Sequence, residues 1–205
     1  EELEEKAIMN APNISMVLRE STGIQIQQTS LSSGNRSIRI QGLDGRYTQL
    51  LKDGFPLYGG FSGGLSIMQI PPLDLAQFEI IKGSSSTLYG GGAIAGLVNM
   101  VSKRPTEETD LNILISQTHT GGSSGNVFYS KRKEKLGFAL YGAAHYNSTY
   151  NPDDDTFTNI PETTSFSLNP KLFYYPNEKS TVWIGINATT DKREGGDINV
   201  VKNGV

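Results

Sequence analysis

Residues 78–104 read FEIIKGSSSTLYGGGAIAGLVNMVSKR, and the rest of the chain is read outward from this stretch. Two apolar runs, 78–81 and 94–101, flank a segment made almost wholly of Ser, Thr and Gly. Both runs are short and partly β-branched, which predicts two strands rather than a helix. Gly83 and the triplet Gly90, Gly91 and Gly92 permit conformations and close approaches that a Cβ would block. The expectation is two strands held by a tight small-residue connector. Lys103, Arg104 and Pro105 end the pattern.

Upstream, the pieces are short and mixed. Residues 1–6 form an acidic, solvated lead-in. Asn10-Ala11-Pro12-Asn13 followed by Ile14, Val17 and Leu18 predicts one capped helix ended by Gly23. Ile24-Gln25-Ile26 and residues 37–40 alternate as strands around a turn at 31–35, and residues 48–51 form another strand closed by Asp53-Gly54, a strong turn signal. A flexible glycine loop follows at 59–64, and Pro71-Pro72 stiffens the approach to Gln77. Residues 1–105 are therefore expected to form one α+β unit, a small mixed sheet with short helices.

After Pro105 the character is almost purely β. Apolar residues alternate with small or polar ones through five predicted strands at 110–119, 125–132, 136–147, 164–175 and 180–190. Connections 131–135 and 176–179 are short, whereas 148–163 is long, acidic and Pro-containing. Strands that are apolar on one side, with short turns on one rim and long loops on the other, suit an outer-membrane barrel. A soluble β-sandwich also shows one-sided alternation and is the ordinary alternative.

Composition sets outer limits. The chain has 205 residues, 36% of them hydrophobic, with 23 Gly, no Cys and a net charge of −3. A turn-rich β protein is favoured, nucleic acid is not attracted by net charge, and disulfides and thiolate metal sites are excluded. No run approaches the roughly 20 apolar residues of a membrane helix, which leaves barrel strands open.

Several motifs resemble the plug domain of TonB-dependent outer-membrane transporters. They are Ile40-Gln41-Gly42, residues 51–56 (LKDGFP), and FEIIKG followed by STLYGGGAIAGLVNMVSK, in the family's order and covering about half of the chain. The resemblance implies a plug domain at 1–105 and, at 106–205, the first about five antiparallel strands of an incomplete barrel that has 22 strands in such transporters. Five strands cannot close a barrel, so the chain reads as a piece of a longer protein. It also implies energised import of a scarce nutrient, first a ferric siderophore, otherwise cobalamin, haem or a glycan. The implied partners are the TonB complex (through a region not recognisable in this chain), the metal-chelate ligand and outer-membrane lipid. No cofactor, catalysis or nucleic acid is expected. A soluble carbohydrate-binding β module is the alternative outside the family.

Candidate site residues follow from the same resemblance. Three plug turns would face outward and offer Ser33, Asn35, Arg46, Tyr47, Tyr58, Phe61 and Ser62, where aromatics and a cation suit a planar anionic chelate. Family plugs fasten to the wall through basic residues paired with barrel glutamates. Here the matching positions are Gln41 and Lys82, with Arg39 and Glu79 beside them. Gln41 cannot form a bidentate charged pair, which weakens that contact or shifts it to Arg39. Other motifs carry blander readings. Residues 90–95 fit GxGxxA with Asp110 following, yet 94–101 is too short and β-branched for the required helix. His119 and His145 read as lumen or loop residues, Asp153-Asp154-Asp155 as a solvated run, and Lys131, Arg132, Lys133 and Lys135 as a membrane-edge turn.

Overall fold

The computed structural model describes residues 14–19, 21–30, 36–57, 70, 73–84, 89, 91–152 and 156–203. The acidic lead-in, the turn at 31–35, the glycine loop at 59–64, Pro71-Pro72 and the aspartate run at 153–155 lie outside these residues. The chain divides into two compact units, Glu1–Ser102 and Lys103–Val205.

In the first unit a helix, Ser15–Arg19, leads into β1 (Ile24–Gln28) and β2 (Arg36–Ile40), which form an antiparallel pair. The helix is shorter than the sequence pattern suggested. Ile14 and Leu18, one turn apart, are its buried contacts, and Gly23 at φ 77 redirects the chain into β1. A second sheet has the order β4-β3-β6-β5, from β3 (Thr48–Lys52), β4 (Phe55–Pro56), β5 (Leu75–Lys82) and β6 (Gly96–Ser102). β3 and β6 run parallel, while β5 is antiparallel to β6. Ile38, Ile40, Val98 and Met100 are fully buried with Leu50 and Leu75 in one core. Each such side chain contributes about 1.5–3 kcal/mol by leaving water.

Two details differ from the sequence expectation. The strand predicted from Ile94 begins at Gly96, because Gly91–Ala93 forms a 3-10 turn and Ile94 is exposed. Gly96 has φ +148, and a Cβ there would lie 2.2 Å from the Ile81 carbonyl oxygen. The strand predicted from Phe78 starts three residues earlier, at Leu75, which is buried. With a strand following the glycines, GxGxxA opens no helix, and the dinucleotide reading fails. Asp53 and Gly54 take φ 53 and 82 and make the tight β3–β4 hairpin that the dipeptide signals.

The second unit is one antiparallel sheet of β7 (Asp110–Gln117), β8 (Gly122–Lys133), β9 (Leu136–Asn147) and β10 (Glu162–Asn177), continued by β11 (Ser180–Gly185) and β12 (Ala188–Glu194). β11 pairs with the second half of β10 and β12 with its first half. The last predicted strand, 180–190, is thus two segments and runs on to 194. Its break at Ile186-Asn187 lies opposite Pro170, whose carbonyl accepts the Ile186 N–H at 3.1 Å. β8 and β10 are also longer than predicted, since polar and glycine residues at their ends still pair. A helix, Ile198–Asn203, follows.

Side chains of this sheet sort by side. Ile113 is 65% exposed and Ile184 70%, with Leu111, Ile115, Leu136, Phe166 and Leu172 also exposed. On the opposite side Ser124, Asn126, Ser130, Asn169 and Lys171 are buried. Outward hydrocarbon over inward polarity is what a wall between lipid and an aqueous lumen requires. The described strands form a single sheet, so the two covered faces of a sandwich are not built from them.

Candidate functional site: the Gly45–Tyr47 turn and the inner wall

The candidate ligand turn is built by one aspartate. Asp44 caps the 3-10 turn Gly45–Tyr47, its carboxylate accepting the Arg46 N–H at 3.1 Å and lying 3.6 Å from Arg46 Nε. The Arg46 guanidinium stands over the Tyr47 ring at 5.1 Å. Tyr47 packs partly into the core, and its carbonyl accepts the Ala95 N–H at 2.8 Å. A rooted ring thus holds a cation whose side chain is 72% exposed. Such an arrangement can meet an anionic, planar ligand with charge and a flat face together. Ser33, Asn35, Tyr58, Phe61 and Ser62 lie outside the described residues.

Strand pairing sets the other candidates. Thr48, Gly96 and Lys82 form one cross-strand row, so the Gly45–Tyr47 turn and Lys82 share one end of the sheet. The Lys82 ammonium lies beside Gly23, whose carbonyl accepts the Gln41 N–H at 2.9 Å. Gln41 (φ 53) and Gly42 (φ 81) make a tight turn there. Gln41, Lys82, Arg46 and Tyr47 are therefore brought to one end of the unit. Arg39 is elsewhere, half-buried in a groove it lines with Arg19, Gln25 and Gln27.

Glu79 and Lys82 do not act as a pair, because three residues along a strand place them on opposite faces. Neither is buried. Glu79 is engaged within its own sheet, where Asn99 Nδ2 donates to one oxygen at 2.7 Å and Gln77 Nε2 to the other at 3.0 Å. Asn99 Oδ1 in turn accepts the Gly54 N–H at 3.0 Å. At the same end, Asp53 accepts from the Ser102 N–H and hydroxyl at 2.7 and 2.9 Å, and Lys52 meets Asp74 at 2.7 Å. This polar belt ties the β3–β4 turn to β5 and β6. Sequence reasoning missed it because its cross-strand contacts join residues 20 to 49 positions apart.

The inner side of the second unit carries groups that the sequence reading passed over. Tyr141 donates to Asn126 Oδ1 at 2.9 Å, with both residues buried. Arg193 binds Asp191 through Nε and a terminal nitrogen at 2.7 and 3.2 Å, the side chains 8% and 7% exposed. His145 and Asp191 share a register row through Ser165. The signal available in sequence was the period-two complement of the apolar residues, but the last strand was ended at 190, before Asp191. His119 lies elsewhere, edge-on to Tyr150. Arg132 stacks on Tyr175 at 4.0 Å, while the rest of its basic cluster sits around the β8–β9 turn.

Residues 1–97 match the family described as the TonB-dependent receptor plug domain. The matched segment, 97 of the 205 residues, is thus the plug domain of the TonB-dependent receptors. Their compartment, the outer membrane of Gram-negative bacteria, is the chain's compartment too, in keeping with the sidedness of the second unit. The chain is similar to the ferric enterobactin receptor PirA of Pseudomonas aeruginosa, 27% identical over 75% of this chain and 23% of that protein. It is also similar to a probable TonB-dependent siderophore receptor PirA of Acinetobacter baumannii, 26% identical over 92% of this chain and 28% of the relative. The chain thus spans about a quarter of the length of these curated relatives. Its fold matches a crystal structure of a variant ferric enterobactin receptor, PfeA, from Pseudomonas aeruginosa with enterobactin. The TM-score is 0.73 at 20% identity, covering 98% of this chain and 35% of that one.

Proposed function

We propose that the protein captures a ferric siderophore at the cell surface and takes part in its import across the outer membrane, driven by the TonB complex of the inner membrane. The observation that carries this reading is the similarity of 75–92% of the chain, plug and wall strands together, to two siderophore receptors. The Arg46–Tyr47 pair supports it, since a ferric chelate of acidic ligands is anionic and flat-faced and gains from a cation rooted on an aromatic ring. In this reading Ser33, Asn35, Tyr58, Phe61 and Ser62 complete the ligand surface with Arg46 and Tyr47. Gln41 and Lys82, with Arg39, hold plug to wall. Glu79, already bound by Asn99 and Gln77, steadies the sheet instead.

The test is a fluorescence-quenching titration of the full-length protein in detergent with ferric enterobactin, a ferric hydroxamate, haem and cobalamin, alongside radio-iron uptake in cells with and without TonB. Saturable binding of one ferric chelate and TonB-dependent uptake are expected. Saturation by haem or cobalamin alone, or uptake indifferent to TonB, would overturn the reading.

A further inference from the structure

Two cross-strand rows on the outward side of the wall begin with a lysine and continue as hydrocarbon. Lys131 of β8 is in register with Phe138, Leu172 and Ile184. Lys133 is in register with Leu136, Tyr174 and Val182. Together the rows line an open groove of about 470 Å³. Both lysines are exposed, and among the described residues neither forms an ion pair.

The position in the wall is set by connection length. Two residues, Glu134 and Lys135, join β8 to β9 beside the groove, and two more join β10 to β11, whereas the long β9–β10 connection is at the other end. Short turns mark the periplasmic rim of outer-membrane barrels, so the groove lies at the headgroup level of the phospholipid leaflet. A lysine facing hydrocarbon is costly at mid-depth and tolerated at the interface, and Tyr174 is a typical interfacial residue.

We infer that this groove is a binding site for an anionic glycerophospholipid, with the phosphate on Lys131 and Lys133 and an acyl chain along Phe138, Leu172 and Ile184. Two ammonium groups two residues apart on one strand face the same side. A zwitterionic headgroup would bring its own cation to that cluster, whereas a net-negative one complements it. The inference rests on the placement of these strands in a membrane and is independent of the transported ligand.

The test uses full-length protein in nanodiscs of phosphatidylethanolamine containing a small fraction of phosphatidylglycerol, with native mass spectrometry of the lipid retained on extraction. Wild type should retain phosphatidylglycerol selectively. Lys131→Gln with Lys133→Gln should lower that retention at least about tenfold, and the Arg pair should keep it. Equal retention of both lipids, unchanged retention in the Gln pair, or displacement by glycerol 3-phosphate alone would overturn the proposal. If the Gln pair does not assemble, Lys133→Gln alone is judged by the same readout. Chelate binding should be unchanged in every variant, which separates failure of this site from failure of the proposed transport role.

Discussion

β6 reads GLVNMVS and β7 reads DLNILISQ. The two strands are almost interchangeable in composition, yet their environments are opposite. Val98 and Met100 of β6 are fully buried, whereas Ile113 and Ile115 of β7 are 65% and 80% exposed. In the first unit hydrocarbon lies inside, and the charged groups sit on the rim in a hydrogen-bonded belt. In the second the hydrocarbon faces out, while Asn126, Asn169 and Lys171 are buried. The contrast teaches that alternation encodes sidedness and leaves open which side meets water. One unit is built for water outside and the other for lipid outside.

The comparison can be broken most forcefully at the belt. Asp74→Ala leaves Lys52 nearly buried without the partner it meets at 2.7 Å, and should cost the first unit about 3–5 kcal/mol. Hydrogen exchange of β3 and β5 amides in the full-length protein reads this loss, and the Lys52→Met, Asp74→Leu double variant should recover most of it. Protection unchanged in Asp74→Ala would show that the pair is dispensable.

A second test inverts the side. Ile113→Arg puts a charge in the outward apolar band and should cost about 2–4 kcal/mol in a bilayer. Asn112→Arg, one residue away on the inner side, should cost clearly less. Equal effects on folding into lipid vesicles, followed by gel mobility, would refute the assignment of sides. On the inner side, Tyr141→Phe leaves Asn126 Oδ1 without its 2.9 Å donor and should cost about 1–3 kcal/mol, seen as a lowered unfolding midpoint in denaturant. The smallest expected effect is at the surface. Arg46→Gln removes the cation offered to the chelate and should weaken chelate binding about three- to fivefold, with a stability loss no larger than the about 0.5–1 kcal/mol of its cation–π contact with Tyr47. A stability loss without an affinity loss would make Arg46 a structural residue.

Local geometry was the legible part of the fold. Asp53-Gly54 announces its own hairpin because positive φ at two successive positions is a property of the dipeptide. β9 runs from Leu136 to Asn147, the predicted bounds, because alternation and flanking turns mark both ends. The start of β6 was misplaced because Ile94 looks like a strand residue, while the constraint is a steric contact between Gly96 and Ile81. The break at Ile186-Asn187 was hidden because Ile184, Ile186 and Ala188 keep the alternation running across it. At the candidate site, Arg46 and Tyr47 stood out by type, but their stacking depends on the Asp44 cap. The Asn99 contact to Glu79 was not legible, since Asn99 faces Glu79 only once β5 and β6 are paired.

By itself the sequence determined strand character, the tight turns and the division of the second unit into apolar and polar sides, because each depends on residues within a few positions of one another. Tertiary structure alone decided which carboxylates are engaged, that Gln41, Lys82, Arg46 and Tyr47 gather at one end, and that two lysines head two rows of hydrocarbon. Those outcomes follow from register between distant strands, where sliding a strand by one residue would exchange every partner and every side.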